Sequence, residues 1–423
     1  MSATLPRRER RWPLVAALAL TYVTFAILLN SVGAVILQSV ATFGIDNGRA
    51  AALEAFKDLP IAVISCIAAA ALPRIGYRRG MMLALALVIA GTAAMPLLPS
   101  FATVKLLFVL TGIGFALVKT STYATIGLIT PDARSHASLT NAIEGIFMVG
   151  VLAGYWLFAA FIDPRNPASP GWLNVYWVLA GLAAVNLMLI LSNPFDESDA
   201  IDPNSTGIRG DMRAMAGLLG RPLIQVFALS AFLYVLIEQG VGSWLPTFNA
   251  EVLHLPPAMS VQAASLFAGA LAVGRLGAGG LIRLVGWFPV LAGCLCGVAL
   301  VILLVVPLAG AAPPQAQMSW ATAPVSILVM PMIGLCLAPI YPTLNSAILS
   351  SLPRARHAAM TGLIIVFSAL GGATGSFLTG KVFALLGGVS AFRLVLIPTV
   401  SVLLLLPVLR ILLGRDQMPV QSE

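Results

Sequence analysis

The chain has 423 residues, of which 59% are hydrophobic and only 9% are charged, against roughly 25% charged residues in an ordinary soluble domain. This composition excludes a soluble enzyme or binding domain and predicts an all-α protein that crosses a membrane many times. The net charge of +8 does not indicate nucleic-acid binding, because the basic residues are spread over short loops between apolar runs. The 4 cysteines lie within apolar runs without metal-ligand spacing, so we predict neither a disulfide framework nor a metal site.

Windows of about 20 apolar residues predict twelve membrane-spanning helices. In chain order they cover residues 12–40, 48–72, 81–98, 104–129, 136–162, 173–191, 223–248, 261–284, 288–308, 325–350, 358–386 and 391–413. No small-residue cleavage site ends a short apolar core, so the first helix is predicted to be uncleaved. A polar stretch between spans six and seven divides them six and six. We therefore predict an N-terminal half over residues 1–192, a cytoplasmic linker over 193–221 and a C-terminal half over 222–423.

Span two carries a group of charged residues at helical spacing, Glu54, Lys57 and Asp58. On a helix these residues lie on adjacent faces, and the lysine can neutralise one of the two carboxylates. A carboxylate left unpaired in a low dielectric is a candidate proton carrier. The alternative is a position in water at the outer interface, because Asp58 lies only about ten residues into the span.

Spans four and five place Lys119 and Glu144 on either side of one polar turn. Two antiparallel helices would bring both to a similar depth in the membrane. Since an ionisable group at mid-bilayer costs roughly 2.5 to 3.5 kcal/mol, it is expected to face the protein interior or an aqueous cavity. Two roles stay open: solute binding and transport, or a buried ion pair that joins the two helices.

Span seven contains Glu238 next to Gln239, Gly240 and Gly242. Glycines permit close helix approach or local unwinding. The glutamate is therefore predicted to bind solute hydroxyls or a cation, with an interhelical hydrogen-bond clamp as the alternative.

Further polar and aromatic residues within spans are candidates to line a cavity. Amides can bond hydroxyl groups and aromatic faces suit sugars, although a lone tryptophan in a span is more often an interfacial anchor. These candidates are Asn30, Asn141, Trp244, Tyr341 and Asn345.

Helix-breaking residues interrupt the last third of the chain. Pro331, Pro339 and Pro342 fall in span ten, and span eleven contains the run SALGGATG. Broken helices at membrane depth are tolerated where they line a cavity, so these positions are predicted hinges.

Two short repeats relate the halves of the chain. AALPRIG after span two is echoed by GLIRLVG after span eight, and PDARSHASLT before span five by PRARHAAMT before span eleven. An even number of spans separates the copies, so the halves are predicted to be parallel repeats about an axis along the membrane normal. In this register Lys119 corresponds to Tyr341, and a looser match sets Asn30 against Glu238. Equivalent positions thus carry polar groups, which favours a shared central cavity.

Most of the 24 basic residues fall in loops on one side when the N-terminus is placed inside. Lys and Arg are enriched in cytoplasmic loops. Both termini are therefore predicted to be cytoplasmic, in an inner or plasma membrane.

The basic turn after span two reads LPRIGYRRG. Together with twelve spans, parallel halves and a central linker, it resembles the major facilitator superfamily, with Pro73 where the superfamily has an acidic residue. The resemblance implies an all-α polytopic fold of two six-helix halves and a cytoplasmic gate. We assign to that gate the basic residues Arg74, Arg78, Arg79, Arg275 and Arg283.

Three segments of the second half, YVLIEQGVGSWLPTF, GALAVGRLGAG and APIYPTLNSAI, resemble the fucose and glucose/galactose permease group. That resemblance implies a sugar:proton symporter. The first half departs from the group, because span one has no acidic residue, Lys119 stands at the glutamate position of span four, and Asn141 and Glu144 stand at the amide positions of span five. The sugar and proton residues of that group are therefore not carried over as a set.

No Walker motif, nucleophile elbow or His/Cys metal set occurs in the sequence, so we predict neither an enzyme nor a bound cofactor. The leading hypothesis is a monomeric secondary transporter, proton-coupled, that moves a sugar or sugar-like solute by alternating access. An organic-anion carrier or exporter, of a carboxylate metabolite or siderophore, is the alternative suggested by Lys57 and Lys119. A non-transporting membrane receptor is disfavoured, because no soluble domain accompanies the spans. Predicted partners are a small solute, protons and lipid, with no nucleic acid.

Within this hypothesis the polar residues receive two roles. The predicted solute-binding residues are Asn30, Lys119, Asn141, Glu144, Glu238, Trp244, Tyr341 and Asn345. The predicted proton-coupling residues are Glu54, Asp58, Glu144 and Glu238.

Overall fold

A computed structural model describes residues 12–416, apart from 131, 196, 198–206, 311–318, 321 and 354–355. The basic segment before Trp12 and the first arginine of the repeat PRARHAAMT lie outside the described residues. The helices are α1 (Trp12–Asn30), α2 (Val32–Phe43), α3 (Asn47–Ala50), α4 (Leu53–Ile75), α5 (Tyr77–Leu97), α6 (Phe101–Ile129), α7 (Ala133–Ala160), α8 (Val175–Ser192), α9 (Gly207–Leu218), α10 (Pro222–Gly242), α11 (Leu245–Glu251), α12 (Pro257–Val285), α13 (Trp287–Gly310), α14 (Ser326–Val329), α15 (Met332–Leu337), α16 (Ile340–Ser350), α17 (His357–Leu394) and α18 (Leu396–Asp416).

The all-α polytopic fold is confirmed. Among the described residues, 10 helical stretches are long and apolar enough to cross a membrane. This set differs from the twelve predicted spans in two places. Helix α4 is not among the 10 stretches, and spans eleven and twelve form one apolar run from Ala359 to Gly414. Gly387 divides that run, because its φ of 79° lies in the left-handed region that favours glycine.

Several of the predicted spans are broken helices, among them spans one, seven and ten. Span one is interrupted at Ser31 between α1 and α2, and span seven between α10 and α11. Span ten is divided into α14, α15 and α16, with Pro331 and Pro339 at the starts of the last two pieces. Proline removes a backbone donor and clashes with the preceding turn, which explains the breaks predicted in span ten. The break in span one was not predicted, whereas the glycines next to the break in span seven were noted as permitting local unwinding.

The polar stretch between the halves contains an amphipathic helix, α9. It packs against α4 of the first half and α17 of the second. The linker therefore contacts one spanning helix on each side of the bundle.

The two halves meet at two pairs of helices, and the internal repeat relates one pair to the other. Helix α4 packs against α17, and α7 packs against α12. Since α4 and α12 are spans two and eight, and α7 and α17 are spans five and eleven, each pair is the image of the other. This agrees with the parallel repeat expected for the fold.

Close contacts between the halves occur on the far side, defined as the side opposite the start of α1 and the end of α18. Asn47 donates a hydrogen bond to Glu251 at 3.1 Å. A Cβ on Gly33 would lie 2.8 Å from the carbonyl oxygen of Ser243, and one on Gly380 would collide with the Cβ of Ala51. Small residues thus let the helices approach closely, and they close the bundle on this side.

Candidate functional site: a charged cavity between the halves

A cavity of about 170 Å³ lies where the broken helices of spans one and seven meet. Both helix breaks contribute to its wall, with Asn30 and Gly33 on one side and Gly242 and Ser243 on the other. Its charged lining residues come from both halves: Glu54 and Lys57 from the first, Glu238 and Arg275 from the second. The cavity therefore lies at the interface between the halves.

The charged group of α4 is buried. Glu54 is 0% exposed, Lys57 4% and Asp58 6%. This excludes the alternative of a water-exposed position at the interface. The ammonium of Lys57 bonds to Glu54 Oε1, lies 3.5 Å from Asp58 Oδ1, and donates to the carbonyl oxygen of Leu29 at 3.2 Å. We call Glu54, Lys57 and Asp58 the α4 cluster.

Local sequence explains why these groups meet. Glu54 and Asp58 are one turn apart on α4, and Lys57 lies at i+3 from Glu54, so all three side chains can interact. Helix α1 ends at Asn30, and the last carbonyl groups of a helix lack partners within it. The carbonyl of Leu29 is thereby available to Lys57.

The α4 cluster also contacts the second half. The hydroxyl of Ser243 donates to Glu54 Oε2 at 2.8 Å across the interface. A Cβ on Gly372 of α17 would collide with Asp58 Oδ2, so this glycine allows the carboxylate to reach α17. Both carboxylates therefore lie in the closed contact between the halves.

The second half contributes an ion pair to the same cavity. Arg275 of α12 lies 3.3 Å from Glu238 of α10, and their side chains are 39% and 20% exposed. Arg275 also lines a second cavity of about 390 Å³ between α12 and α16. Arg275, which we assigned to the cytoplasmic gate, lies within the 29-residue helix α12, and its role in a gate stays a prediction. An arginine within an apolar span was the available signal for a cavity residue.

Lys119 and Glu144 do not form the ion pair that we considered. Glu144 instead accepts a hydrogen bond from the Tyr123 hydroxyl at 2.6 Å. Tyr123 follows Lys119 by one turn on α6 and reaches the carboxylate. The ammonium of Lys119 is exposed, lies 5.7 Å from the centre of the Phe115 ring, and has no ion-pair partner among the residues that the structure describes.

Of the other predicted solute-binding residues, only Asn30 lines the central cavity. Trp244 does not, because its side chain is 0% exposed and its indole nitrogen donates to the Ser376 carbonyl at 2.9 Å. Tyr341 stacks on Tyr234 at 5.5 Å between ring centres. Asn141 is exposed and Asn345 is half-buried, and neither is in the wall of this cavity.

The remaining predicted gate residues lie at the helix ends. Arg78 donates to the carbonyl oxygens of Ile190 and Leu191 at 3.1 and 2.6 Å, which suits a cation at the C-terminus of α8. Arg74, Arg79 and Arg283 are exposed.

Sequence reasoning missed an acidic partner of this turn. Glu197 accepts hydrogen bonds from the backbone N–H groups of Tyr77 and Arg78 at 2.7 and 2.8 Å. A carboxylate at a helix N-terminus is stabilising, so Glu197 supplies an acidic group near the turn where Pro73 does not. Its position after span six in the sequence gave no sign of this contact.

Comparison with known proteins identifies the family. A model of the Major Facilitator Superfamily matches residues 14–376, whereas a search of curated proteins finds no match. Solved structures share the fold. A D-xylose-proton symporter is 15% identical, with a TM-score of 0.69 over 93% of this chain and 97% of its own. The nucleoside transporter NupG is 13% identical, with a TM-score of 0.68 over 95% and 98%. A bacterial homologue of the human lysosomal transporter Spinster, in an inward-facing and unoccupied conformation, is 15% identical, with a TM-score of 0.72 over 98% of each chain. Since the family model covers most of the sequence, the chain belongs to the major facilitator superfamily.

Proposed function

We propose that the protein is a secondary active transporter that uses a proton gradient to move a small polar solute, sugar or sugar-like, across the plasma membrane. Residues 1–192 and 222–423 would act as the two rocking halves, with the linker helix α9 between them. Alternating access at a site between repeats is the working mode of this kind of fold. The closed far side and the charged cavity below it support an inward-facing state, if both termini are cytoplasmic.

The observation that carries the proposal is the bond from Ser243 to Glu54 within the buried α4 cluster. When all three groups are ionised, two carboxylates and one ammonium leave a net charge of −1. A buried, uncompensated charge is strongly unfavourable, and one proton removes it. Opening the far side breaks the contact with Ser243 and exposes the carboxylates, so proton exchange there is linked to the movement of the halves.

Sugar remains the leading solute class because of the resemblance of the second half to sugar permeases. Among the solved structures that share the fold is a D-xylose-proton symporter. Part of the cavity wall is aromatic, including Phe147, Tyr155 and Phe267, and flat apolar faces suit sugar rings.

A second candidate, the organic-anion carrier or exporter, is favoured by one observation. The ammonium of Lys119 is exposed and lacks a carboxylate partner within the described residues, so it is available to an anionic solute. Lys57 does not support this candidate, because its ammonium is already surrounded by oxygen atoms of the protein.

Flux into proteoliposomes tests the proposal. We expect a labelled monosaccharide from a panel of sugars and organic acids to accumulate only when a pH gradient is imposed.

Amide variants of the buried carboxylates test the coupling: Asp58→Asn, Glu54→Gln and Glu238→Gln. At least one of them should lose accumulation of the solute and keep counterflow exchange, because net transport requires proton release and exchange does not. Glu144→Gln belongs to the same series. Asp163→Asn, at an exposed loop carboxylate, is the matched control and should transport normally. Normal accumulation in all four amide variants would contradict proton coupling through these carboxylates, and competition by small carboxylates in the parent protein would favour the anion carrier.

A further inference from the structure

The ammonium of Lys57 has three protein oxygen atoms within 3.5 Å. Glu54 Oε1 bonds to it, the carbonyl oxygen of Leu29 lies 3.2 Å away, and Asp58 Oδ1 lies 3.5 Å away. These oxygens come from two different helices. Tyr155 of a third helix, α7, lines the same cavity as Lys57. The group is therefore a cation surrounded by converging acceptors.

This set of acceptors has the chemistry of a site for a small metal cation. Carboxylate and carbonyl oxygens are the ligands of hard cations. In transporters, the carbonyl groups at the C-terminal ends of broken helices commonly coordinate sodium ions. Leu29 is next to the last residue of α1, directly before the break at Ser31, and a helix C-terminus carries partial negative charge.

The orientation of the acceptors is also fixed from outside the group. Ser243 holds the second oxygen of Glu54 at 2.8 Å, which leaves Oε1 directed at the ammonium. Such outer hydrogen bonds orient the ligands in metal sites. A simple buried ion pair requires only one carboxylate, whereas here a second carboxylate and a helix-end carbonyl converge on the same ammonium.

We infer that Lys57 is a tethered cation that occupies a sodium-type site and thereby excludes a metal ion as the coupling ion. The inference rests on the proposed transport function and specifies which ion drives it. An ammonium and a sodium ion each carry one positive charge, so one can replace the other without changing the charge of the α4 cluster. With Lys57 in place the only ion that can enter or leave the cluster is a proton. Lys57→Ala should open the site to Na⁺.

Thermal unfolding of the purified protein in detergent tests this inference without any solute. Wild type and Lys57→Ala are compared in NaCl, KCl, LiCl and choline chloride at equal ionic strength. We expect the wild-type midpoint to be the same in all four salts. The midpoint of Lys57→Ala should be low in choline and should rise saturably with Na⁺ by about 2–4 °C or more, since an ion that binds only the folded state stabilises it.

Two control variants separate a specific site from a general charge effect. Lys119→Ala removes the same charge from the first half at a position with no ion-pair partner, and should show no response specific to Na⁺. The double variant Glu54→Gln/Lys57→Ala removes one ligand of the expected site, and should lose the Na⁺ response. Lys57→Ser, which places a hydroxyl oxygen in the site, should respond to Na⁺ as Lys57→Ala does.

Several results would overturn the inference. They are stabilisation of the wild type by Na⁺ relative to choline, equal midpoints of Lys57→Ala in all four salts, or the same Na⁺ response in Lys119→Ala. Failure of both Lys57→Ala and Lys57→Ser to fold even in NaCl would also overturn it, because a sodium site should restore the fold. The outcome is separable from that of the flux assay: flux without proton dependence refutes the proposed coupling, whereas a Na⁺-insensitive Lys57→Ala refutes only the tethered cation.

Discussion

The two halves of the protein carry their membrane charges in different surroundings. The α4 cluster of the first half is at most 6% exposed and is bonded to Ser243 of the second half. The pair of Glu238 and Arg275 in the second half is 20% and 39% exposed, and its arginine faces two cavities. Glu54 and Lys57 line the same cavity as the Glu238–Arg275 pair, so the two regions differ in burial and in their contact with the other half. In the proposed mechanism, the α4 cluster exchanges a proton when the halves separate, and the more exposed Glu238–Arg275 pair meets the solute.

The largest expected difference between the two regions is in stability. In a sodium-free buffer, Lys57→Met leaves two buried carboxylates without a counter-charge and should reduce stability by about 3–5 kcal/mol. Arg275→Met breaks a partly exposed pair and should cost about 1 kcal/mol or less. Thermal unfolding in choline chloride measures both. Adding Glu54→Gln to Lys57→Met should recover much of the lost stability. If Lys57→Met and Arg275→Met reduce stability equally, the difference in burial between the two regions has no effect on stability.

A smaller effect is expected when the contact between the halves is weakened. Ser243→Ala removes a hydrogen bond to a charged group, worth about 1.5–3 kcal/mol, from the closed far side. The equilibrium should shift about ten-fold or more toward the far-side-open state. Spin labels at the exposed residues Ala41 and His254 would report that shift as a larger population at the longer distance between the labels.

Ser265→Ala is the matched control for this measurement. Its hydroxyl bonds to the Gln262 carbonyl within its own helix at 2.6 Å, so its removal should leave the distance distribution unchanged. An unchanged distribution in Ser243→Ala would show that the bond to Glu54 does not hold the halves together.

Hydropathy and helix-breaking residues predicted the twelve spans and the division of span ten, because lipid allows few ways to satisfy the backbone. They also singled out Glu54, Asp58 and Glu238 as charged residues within the spans, although a water-exposed position stayed open for the first two. The partners of those charges could not be predicted. Ser243 is 189 residues from Glu54 in the chain, and its approach depends on how two helices rotate and cross.

The absence of the Lys119–Glu144 ion pair, one of the two roles that we considered, has the same physical origin. Equal depth of two residues on neighbouring helices does not fix which side chains face each other, since each residue along a helix turns by about 100°. Tyr123 occupies the place beside Glu144 that depth alone would give to Lys119. The break at Ser31, which frees the Leu29 carbonyl, occurs without proline or glycine at that position and left no composition signal.

The access of solutes to the Glu238–Arg275 pair can be tested by inhibition with small anions. Glu238→Gln removes the charge partner of Arg275 and should make solute flux more sensitive to inhibition by acetate or lactate, because the guanidinium then faces the cavity unpaired. Glu54→Gln should give no such increase, since Lys57 retains Asp58 and the Leu29 carbonyl. Concentration–inhibition curves in exchange mode compare the two variants. A similar increase in both would mean that the α4 cluster is also accessible to solute.

The smallest effect on stability is expected at Lys119. Its side chain is exposed and lacks an ion-pair partner among the described residues, so Lys119→Met should change stability by about 0.5 kcal/mol or less. Because Glu144 is bonded to Tyr123 at 2.6 Å, the effects of Lys119→Met and Glu144→Gln on stability should add, with a coupling within about 0.5 kcal/mol. A larger coupling energy would instead support the Lys119–Glu144 ion pair that we considered from the sequence. The transport readout then separates the two solute classes: a sugar carrier should retain its flux in Lys119→Met, whereas an organic-anion carrier should lose both flux and inhibition by carboxylates, because the free cation that attracts the solute is gone.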